Sequence, residues 1–462
     1  MWIPDLSGRR GPKYQQLLDA LAEDIASGRL PAGAQLPPHR ELAYQLGISA
    51  NTTSRAYAEG VKRALLRGEV GRGTFVRSAS LSSQAEAPES LQRADSGPID
   101  LSRNLPLPGL AASHVKRILA EMAEDDRLAA LLDYQTEADL EQHRTAGQTW
   151  LALCGLTRAL PEVIPVIGGQ HGIMSSLMAL LQPGDLLLTE ALTYMPVLAM
   201  AERLGLKTAA VAMDGDGVLP DAFESLCREA KPGAFYLTPT LQAPTGATLS
   251  AARRAAVAET AARHGVVVIE DDVFGPLKPD RPAPIAALAP EVTVYITSLS
   301  KAVAPGLRVG YLAAPRRLAP ALHRAVNLSV WMAPPMTLEV ASRLIAEGTA
   351  EGLTAQQLRL ARQRKDLARA LLGGEAVAGQ EDGYHLWLPL PEGWRADVVA
   401  AECLRQGLRI TEGRSFAPDP ATAPEAIRLC VSHEASESRV MEGLTILSAV
   451  LAAQPGRSSL II

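Results

Sequence analysis

Cysteine is scarce in this chain and does not cluster. Four thiols, Cys154, Cys227, Cys403 and Cys430, are spread over 462 residues. None forms a CxxC pair or stands at zinc-ligand spacing, so neither a disulfide framework nor a metal site is expected. They read as buried free thiols in a reducing cytosol. No basic segment followed by an apolar run opens the chain, so no secretory leader is expected. Apolar stretches break off well short of the ~20 residues that span a bilayer. Internal repeats are also lacking. A cytoplasmic protein with no membrane contact is the expectation.

Hydrophobic residues make up 47% and charged residues 21%, a balance that permits a large core and argues against bulk disorder. At ~150 residues per domain the length suggests about three units. The net charge of −5 is unevenly placed: residues 1–77 hold 11 Lys and Arg against 7 Asp and Glu, and the remainder 34 against 43. A basic module on an acidic body suits a local phosphate-binding surface.

Residues 78–98 (SASLSSQAEAPESLQRADSGP, from Ser78 to Pro98) lack an apolar period and read as a linker. Past it, helical stretches alternate with β-branched runs such as VVVIE (266–270) and VTVYIT (292–297). That alternation predicts an α/β unit with a parallel sheet covered by helices on both faces. From about Met336 onward, helical patterns and the hairpin-like YHLWLPL (384–390) predict a smaller α+β unit.

In the basic module, Leu17, Leu21 and Ile25 give residues 13–27 one apolar helical face, stopped by Gly28 and Pro31. A second helix is expected over 39–46. Gly47-Ile48-Ser49 is a tight turn, and Ser49 is a good N-cap for a third helix from Ala50. This is a helix-turn-helix with Leu42, Ala43, Leu46 and Ile48 as packing residues. The third helix displays Asn51, Thr52, Ser54 and Arg55, side chains that reach base edges and phosphates in a major groove. GEVGRGTFV (68–76) reads as a wing carrying Arg72.

Over nearly all of residues 12–77, LPPHRELAYQLGIS, TSRAY and GEVGRGTFV resemble the GntR family of winged-helix repressors. The resemblance implies operator DNA contacts from Arg40, from the start of the third helix and from the wing around Gly73. The chain departs from the family at Ala50, where arginine is usual, and at Thr53 and Gly60, where valine and leucine are usual. A glycine inside a helix costs ~1 kcal/mol relative to alanine, and a lost core leucine is expected to add to that.

The larger part carries five chemical signals. In SLSKAVAPGLRVG (298–310), Lys301 follows a strand among small hydroxyl residues. A buried lysine with a lowered pKa forms a Schiff base with an aldehyde cofactor, and Ser298, Ser300 and Arg308 are fit to hold a phosphate. VVVIEDDVF (266–274) ends a buried strand in acids, where ligands bind in open α/β sheets. Asp271 can face a cofactor's pyridinium nitrogen; Glu270 and Asp272 remain alternatives, or solvated loop acids. VIGGQHGI (166–173) is a Gly-rich turn into a helix, where the backbone of Gly169 and Gln170 suits a phosphate. In TEALTYMP (189–196), Tyr194 can stack on a pyridine ring or belong to the core. Arg428, in AIRLCVS (426–432), can clamp a carboxylate bidentately or be a salt-bridged surface group.

Together these motifs resemble the fold type I aminotransferases over about residues 99–456, with the smaller domain from about 336. With the GntR-like head they resemble the MocR subfamily over almost the whole chain. The resemblance implies pyridoxal 5′-phosphate as cofactor, Asp271 as the pyridinium partner, and a homodimer with its cofactor site at the subunit interface. Tyr134, in LLDYQTEADLEQHR, matches the tyrosine that reaches a partner's phosphate. The family's Asn-Pro-Thr-Gly stands here as Ala243-Pro244-Thr245-Gly246, and its cofactor-facing tyrosine as Phe274. Both missing groups hydrogen-bond the cofactor's phenolic oxygen in the family, so a Schiff base of raised pKa and weaker cofactor binding are expected. The function implied is a transcription regulator that binds operator DNA and senses an amino compound or a B6 vitamer through an aldimine at Lys301. The alternatives are an active aminotransferase of an α-amino acid with a vestigial head, and a DNA-binding dimer that has lost the cofactor.

Overall fold

Helix α1 (Lys13–Ala26) follows from its apolar period: Leu17, Leu18 and Leu21 are buried and Ile25 partly so. In this computed structural model the chain is described except for residues 1, 7, 8, 10, 27, 28, 32, 33, 63, 64, 70–72, 77–96, 137, 374–380 and 454–462. Arg72, the helix stop at Gly28 and most of the 78–98 linker therefore lie outside the described residues. Residues 1–86 and 87–462 form two compact units, and each is described by itself.

In the first unit α2 (His39–Leu46) ends at Gly47, whose left-handed backbone (φ +62°) lets its N–H bond the carbonyls of Ala43 and Tyr44. Ser49 then caps α3 (Ala50–Lys62), its Oγ accepting from the Thr52 N–H at 3.2 Å. Leu42 and Ala43 are buried and Leu46 and Ile48 partly so, as a helix-turn-helix requires. Strands β1 (Leu66–Glu69) and β2 (Gly73–Val76) pair antiparallel as the wing, Leu66 opposite Val76. The expectation of a deficit at Gly60 needs correcting. A Cβ there would stand 3.0 Å from Leu66 Cδ1 and 3.4 Å from Leu21 Cδ2, so these leucines already fill the space of a larger side chain. The cost falls on Thr53 instead, which is fully buried with its hydroxyl unpaired.

The second unit is built on a seven-stranded sheet of β3 (Val163–Val166), β4 (Leu186–Glu190), β5 (Lys207–Val211), β6 (Ala234–Leu237), β7 (Val267–Asp271), β8 (Thr293–Ser298) and β9 (Gly310–Ala313), in the order β3-β9-β8-β7-β6-β4-β5. All pairs are parallel except the two made by β9. Side chains alternate between faces. Ile269, Val294 and Ile296 join one cluster with Ile173 and Leu177 of α4 (Gly168–Leu180); Tyr295 and Val268 pack in clusters on the opposite side. Loops after β3, β4, β6, β7 and β8 leave at one sheet edge, the carboxyl ends where ligands bind in such sheets. One of them leads into α5 (Met195–Arg203).

Helix α6 (Pro335–Ala346) buries Leu338, Ala341 and Leu344 in the core beside Trp150 and Tyr311. The helix at the expected 336 boundary thus packs with the large sheet rather than the smaller unit. Helix α7 (Thr349–Leu372) follows, with Ala368 in the core of the smaller sheet of β10 (His385–Pro389), β11 (Thr411–Glu412) and β12 (Ala426–Cys430), ordered β10-β12-β11. YHLWLPL is a strand but not half of a hairpin: its partner is β12, with Trp387 opposite Arg428. Ile99–Asp100 also joins this end, pairing in parallel with Leu408–Arg409. Among the described residues no helix is long and apolar enough to cross a membrane, and all four cysteines are buried and free.

Candidate cofactor and DNA-binding sites

Lys301 sits in a helical turn (Leu299–Ala302) directly after β8. Its Nζ donates to the carbonyl oxygen of Asn104 at 2.6 Å and lies 5.2 Å from the centre of the Phe274 ring. Burial lowers its pKa to about 8, so a useful fraction is neutral, and nucleophilic, near neutral pH.

Asp271 closes the adjacent strand β7 and is buried. Tyr236, on β6, donates to its Oδ2 at 2.7 Å, and the Val273 N–H reaches Oδ1 at 3.4 Å. Burial pushes its pKa up to about 6, against the pull of the Tyr236 hydrogen bond. Glu270 and Asp272 are not solvated loop acids. Glu270 is buried and accepts the Ile285 and Ala286 N–H groups at 2.9 and 2.8 Å, and Asp272 accepts the Tyr295 hydroxyl at 2.6 Å. Both are committed to structure, which leaves Asp271 as the acid at the sheet edge. Tyr194 immediately precedes α5; its pKa is raised by burial and then by the charge of Asp271.

Arg308 adopts a left-handed backbone (φ +52°) and folds back over the start of α4, its Nη2 donating to the Ile167 carbonyl at 3.2 Å. A Cβ on Gly168 would meet that guanidinium at 3.0 Å, and one on Gly169 would meet Val273 Cγ1 at 2.8 Å. The glycines thus let a cation and the first-turn amides of a helix, those of Gly169 and Gln170 among them, converge on one spot. Ser298 and Ser300 stand beside it, their hydroxyls 2.9 Å apart, with the Ser300 N–H donating to Ser298 Oγ at 3.1 Å.

Arg428, on β12, is about nine-tenths buried. Its Nη2 donates to the Ser102 carbonyl at 2.6 Å, its guanidinium lies 4.7 Å from the centre of the Phe416 ring, and its Nε is buried without a partner. A surface salt bridge is thereby excluded; an unmet donor beside a good one is what a carboxylate satisfies.

Three residues of this site were not anticipated. Tyr236 is found only through the strand register that sets it beside Ile269. His385 arrives from the smaller sheet: its Nε2–H donates to the Gln242 carbonyl at 2.9 Å, its Nδ1 accepts from Asn104 Nδ2 at 3.1 Å, and its ring meets Phe274 edge-on, 5.8 Å between centres. Burial drives its pKa down to about 3, so it is neutral. Asn104 lies over 280 residues away from it in sequence, which no local pattern reveals. Ala243 and Phe274, the two departures, are buried and present only apolar surface.

These residues fit pyridoxal 5′-phosphate. A cradle that a single Cβ would fill suits a phosphate, a buried carboxylate of raised pKa suits a protonated ring nitrogen, and an amine of lowered pKa suits an aldehyde. Tyr134 is not brought to this site within the chain. It is 72% exposed and meets Trp331, itself 63% exposed, with ring centres 5.8 Å apart.

In the first unit Arg40, Ser49, Asn51, Ser54, Arg55 and Gly73 are exposed and Thr52 half-buried. Ser49 and Thr52 are engaged with each other, oxygens 2.8 Å apart, and the Arg55 guanidinium rests 4.0 Å from the centre of the Tyr14 ring. The start of α3 is thus a stiffened polar surface.

Comparison with known proteins finds the same two units. The model for aminotransferase class I and II matches residues 97–442, and that for bacterial regulatory proteins of the gntR family matches residues 13–76. The HTH-type transcriptional regulator YdeF of Bacillus subtilis is 26% identical, over 97% of this chain and 96% of its own. The vitamin B6 salvage pathway transcriptional repressor PtsJ of Salmonella typhimurium is 28% identical, over 88% and 91%. Among solved structures, the kynurenine aminotransferase of Pyrococcus horikoshii, in complex with PMP, superposes with a TM-score of 0.71 at 23% identity, over 79% of this chain and 93% of that one.

Proposed function

This chain belongs to the aminotransferase class I and II family, with a GntR-type unit at its head as in the MocR subfamily, and on that premise we propose that it is a pyridoxal-phosphate-dependent transcription regulator. It binds operator DNA through the first unit and senses an amino compound, or a B6 vitamer, in the second. The observation that carries this reading is the coexistence of an intact Lys301–Asp271–Arg308 constellation with a capped, polar α3 face in one chain.

When bound, the cofactor supplies an aldehyde that condenses with primary amines and a pyridinium ring that withdraws electrons. Lys301 presents the amine. Asp271, kept in place by Tyr236, holds a proton on the ring nitrogen. Arg308, Ser298, Ser300 and the amides of Gly169 and Gln170 hold the phosphate, and Tyr194 covers the ring. Arg428 takes a carboxylate of the ligand. Ala243 and Phe274 offer the phenolic oxygen no donor, which weakens cofactor binding and favours sensing over efficient transamination. The exposed Tyr134, Trp331, Leu132 and Leu328 support a homodimer in which Tyr134 reaches the partner's phosphate site. Arg40, Ser49, Asn51, Thr52, Arg55 and Gly73 face DNA, with Arg72 added from the sequence alone, and the protein works in the cytoplasm.

The test is an absorption spectrum with added pyridoxal phosphate, beside Lys301→Ala, combined with DNA binding by the same samples. A visible band lost in the variant, and DNA affinity that responds to an amine shifting that band, are expected. Absence of the band in both folded proteins, or turnover of an amino donor with no effect on DNA binding, would overturn the reading.

A further inference from the structure

We propose that the segment Ser102–Asn104 is a strap that occupies the ligand's carboxylate position and is displaced when a carboxylate binds. The proposal rests on the cofactor-site reading above. Two carbonyls of this one segment engage two of the site's cations: Asn104 O accepts from Lys301 Nζ and Ser102 O from Arg428 Nη2, each at 2.6 Å. The fit to Arg428 is incomplete, since one carbonyl takes one N–H and Nε stays buried and unpaired. A carboxylate accepts two parallel guanidinium N–H bonds and carries charge, so it outcompetes a neutral carbonyl at the same place. A bound cofactor would compete with the Asn104 carbonyl for the Lys301 amine.

The strap hangs between two anchors. On one side Ile99 and Leu101 donate to Gly407 and Arg409 carbonyls at 2.8 and 2.9 Å, and Cys430 donates to the Leu101 carbonyl at 2.8 Å. On the other side Leu107 exchanges two hydrogen bonds with the Gln357 side chain, at 3.0 and 2.9 Å. The side chain of Asn104 adds a tie to His385. Ser102 also bonds Asp100 Oδ1 through its N–H and hydroxyl, and the Pro106 carbonyl accepts from His433 Nδ1 at 3.3 Å, but the backbone of Ser102–Asn104 meets the cofactor site through the Lys301 and Arg428 bonds; the segment is continuous in sequence with the 78–98 linker.

The experiment is hydrogen exchange on peptides covering 99–107 of the full chain, with two probes. N-(5′-phosphopyridoxyl)glycine carries phosphate, ring and carboxylate; pyridoxamine phosphate lacks the carboxylate. Severalfold faster exchange with the first and little change with the second is expected. If calorimetry shows both bound and exchange is unchanged or slowed by the first, the strap is overturned while the cofactor site stands. If neither binds, the cofactor reading falls and the strap with it. Asn104→Ala, which keeps both carbonyls but loosens the strap, should raise affinity for the carboxylate probe relative to pyridoxamine phosphate by roughly three- to tenfold. Weaker binding of the carboxylate probe would make Asn104 a ligand-holding residue and refute displacement.

Discussion

Tyr236 and Asp271 share a hydrogen bond of 2.7 Å at the carboxyl edge of neighbouring strands, and it holds a buried carboxylate whose pKa burial has raised to about 6. Against ~3.9 in an unfolded chain, the folded state binds this proton more tightly. The resulting stabilisation is complete below the unfolded pKa and is lost as pH rises through about 6. Asp271→Asn removes that loss. Thermal melts of the cofactor-free variant should match the native protein at about pH 4 and exceed it at about pH 8, by roughly 1–3 kcal/mol, while affinity for pyridoxal phosphate falls. A stability difference independent of pH would refute this.

His385 gives the opposite slope. Its pKa is depressed to about 3, so its contribution is present above the unfolded value of ~6.5 and is lost as pH falls toward the folded one. Replacing it by glutamine should flatten the acid limb of the stability profile below about pH 6. An unchanged acid limb in a folded His385→Gln protein would mean the ring is charged in the native state.

Gly168 separates phosphate recognition from the rest of the site. With φ at +75° and the Arg308 guanidinium 3.0 Å from the place of a Cβ, Gly168→Ala strains the backbone and pushes the cation away. Affinity for pyridoxal phosphate should drop about tenfold or more, while that for pyridoxal, which has no phosphate, stays within about twofold. Equal losses for both ligands would argue against a phosphate cradle here.

In the first unit two substitutions should part company. Ser49→Ala removes the cap of α3 and should destabilise the unit by about 1 kcal/mol without changing the salt dependence of DNA binding. Arg40→Ala should leave stability alone and reduce the slope of log K against log salt by about 0.9, the worth of one phosphate contact. A slope unchanged in Arg40→Ala would remove that residue from the interface.

What was legible in the sequence is what is local. Lys301 and Arg308 lie seven residues apart in one motif, and the helix-turn-helix is a run of consecutive residues. Tyr236, Asn104 and His385 were invisible because strand register and long-range docking bring them in, and neither leaves a periodic trace. The 384–390 run shows the same limit: its alternation announces a strand, but its partner, β12, lies beyond a helix. Gly60 read as a deficit only because Leu66 and Leu21 were not yet seen beside it.

The antiparallel strand of the seven-stranded sheet carries a consequence of its own. Because β9 runs against β8, with Ser298 opposite Gly310, the chain returns through a short connection holding two brief helical turns, Leu299–Ala302 and Pro305–Leu307, instead of a long crossover helix. Amine and phosphate cation are thereby written into one uninterrupted cassette, inherited as a unit. An insertion between Lys301 and Arg308 would put the two out of step while sparing every strand. A lineage can therefore lose the chemistry in one event and keep the scaffold, the head and their partnership intact.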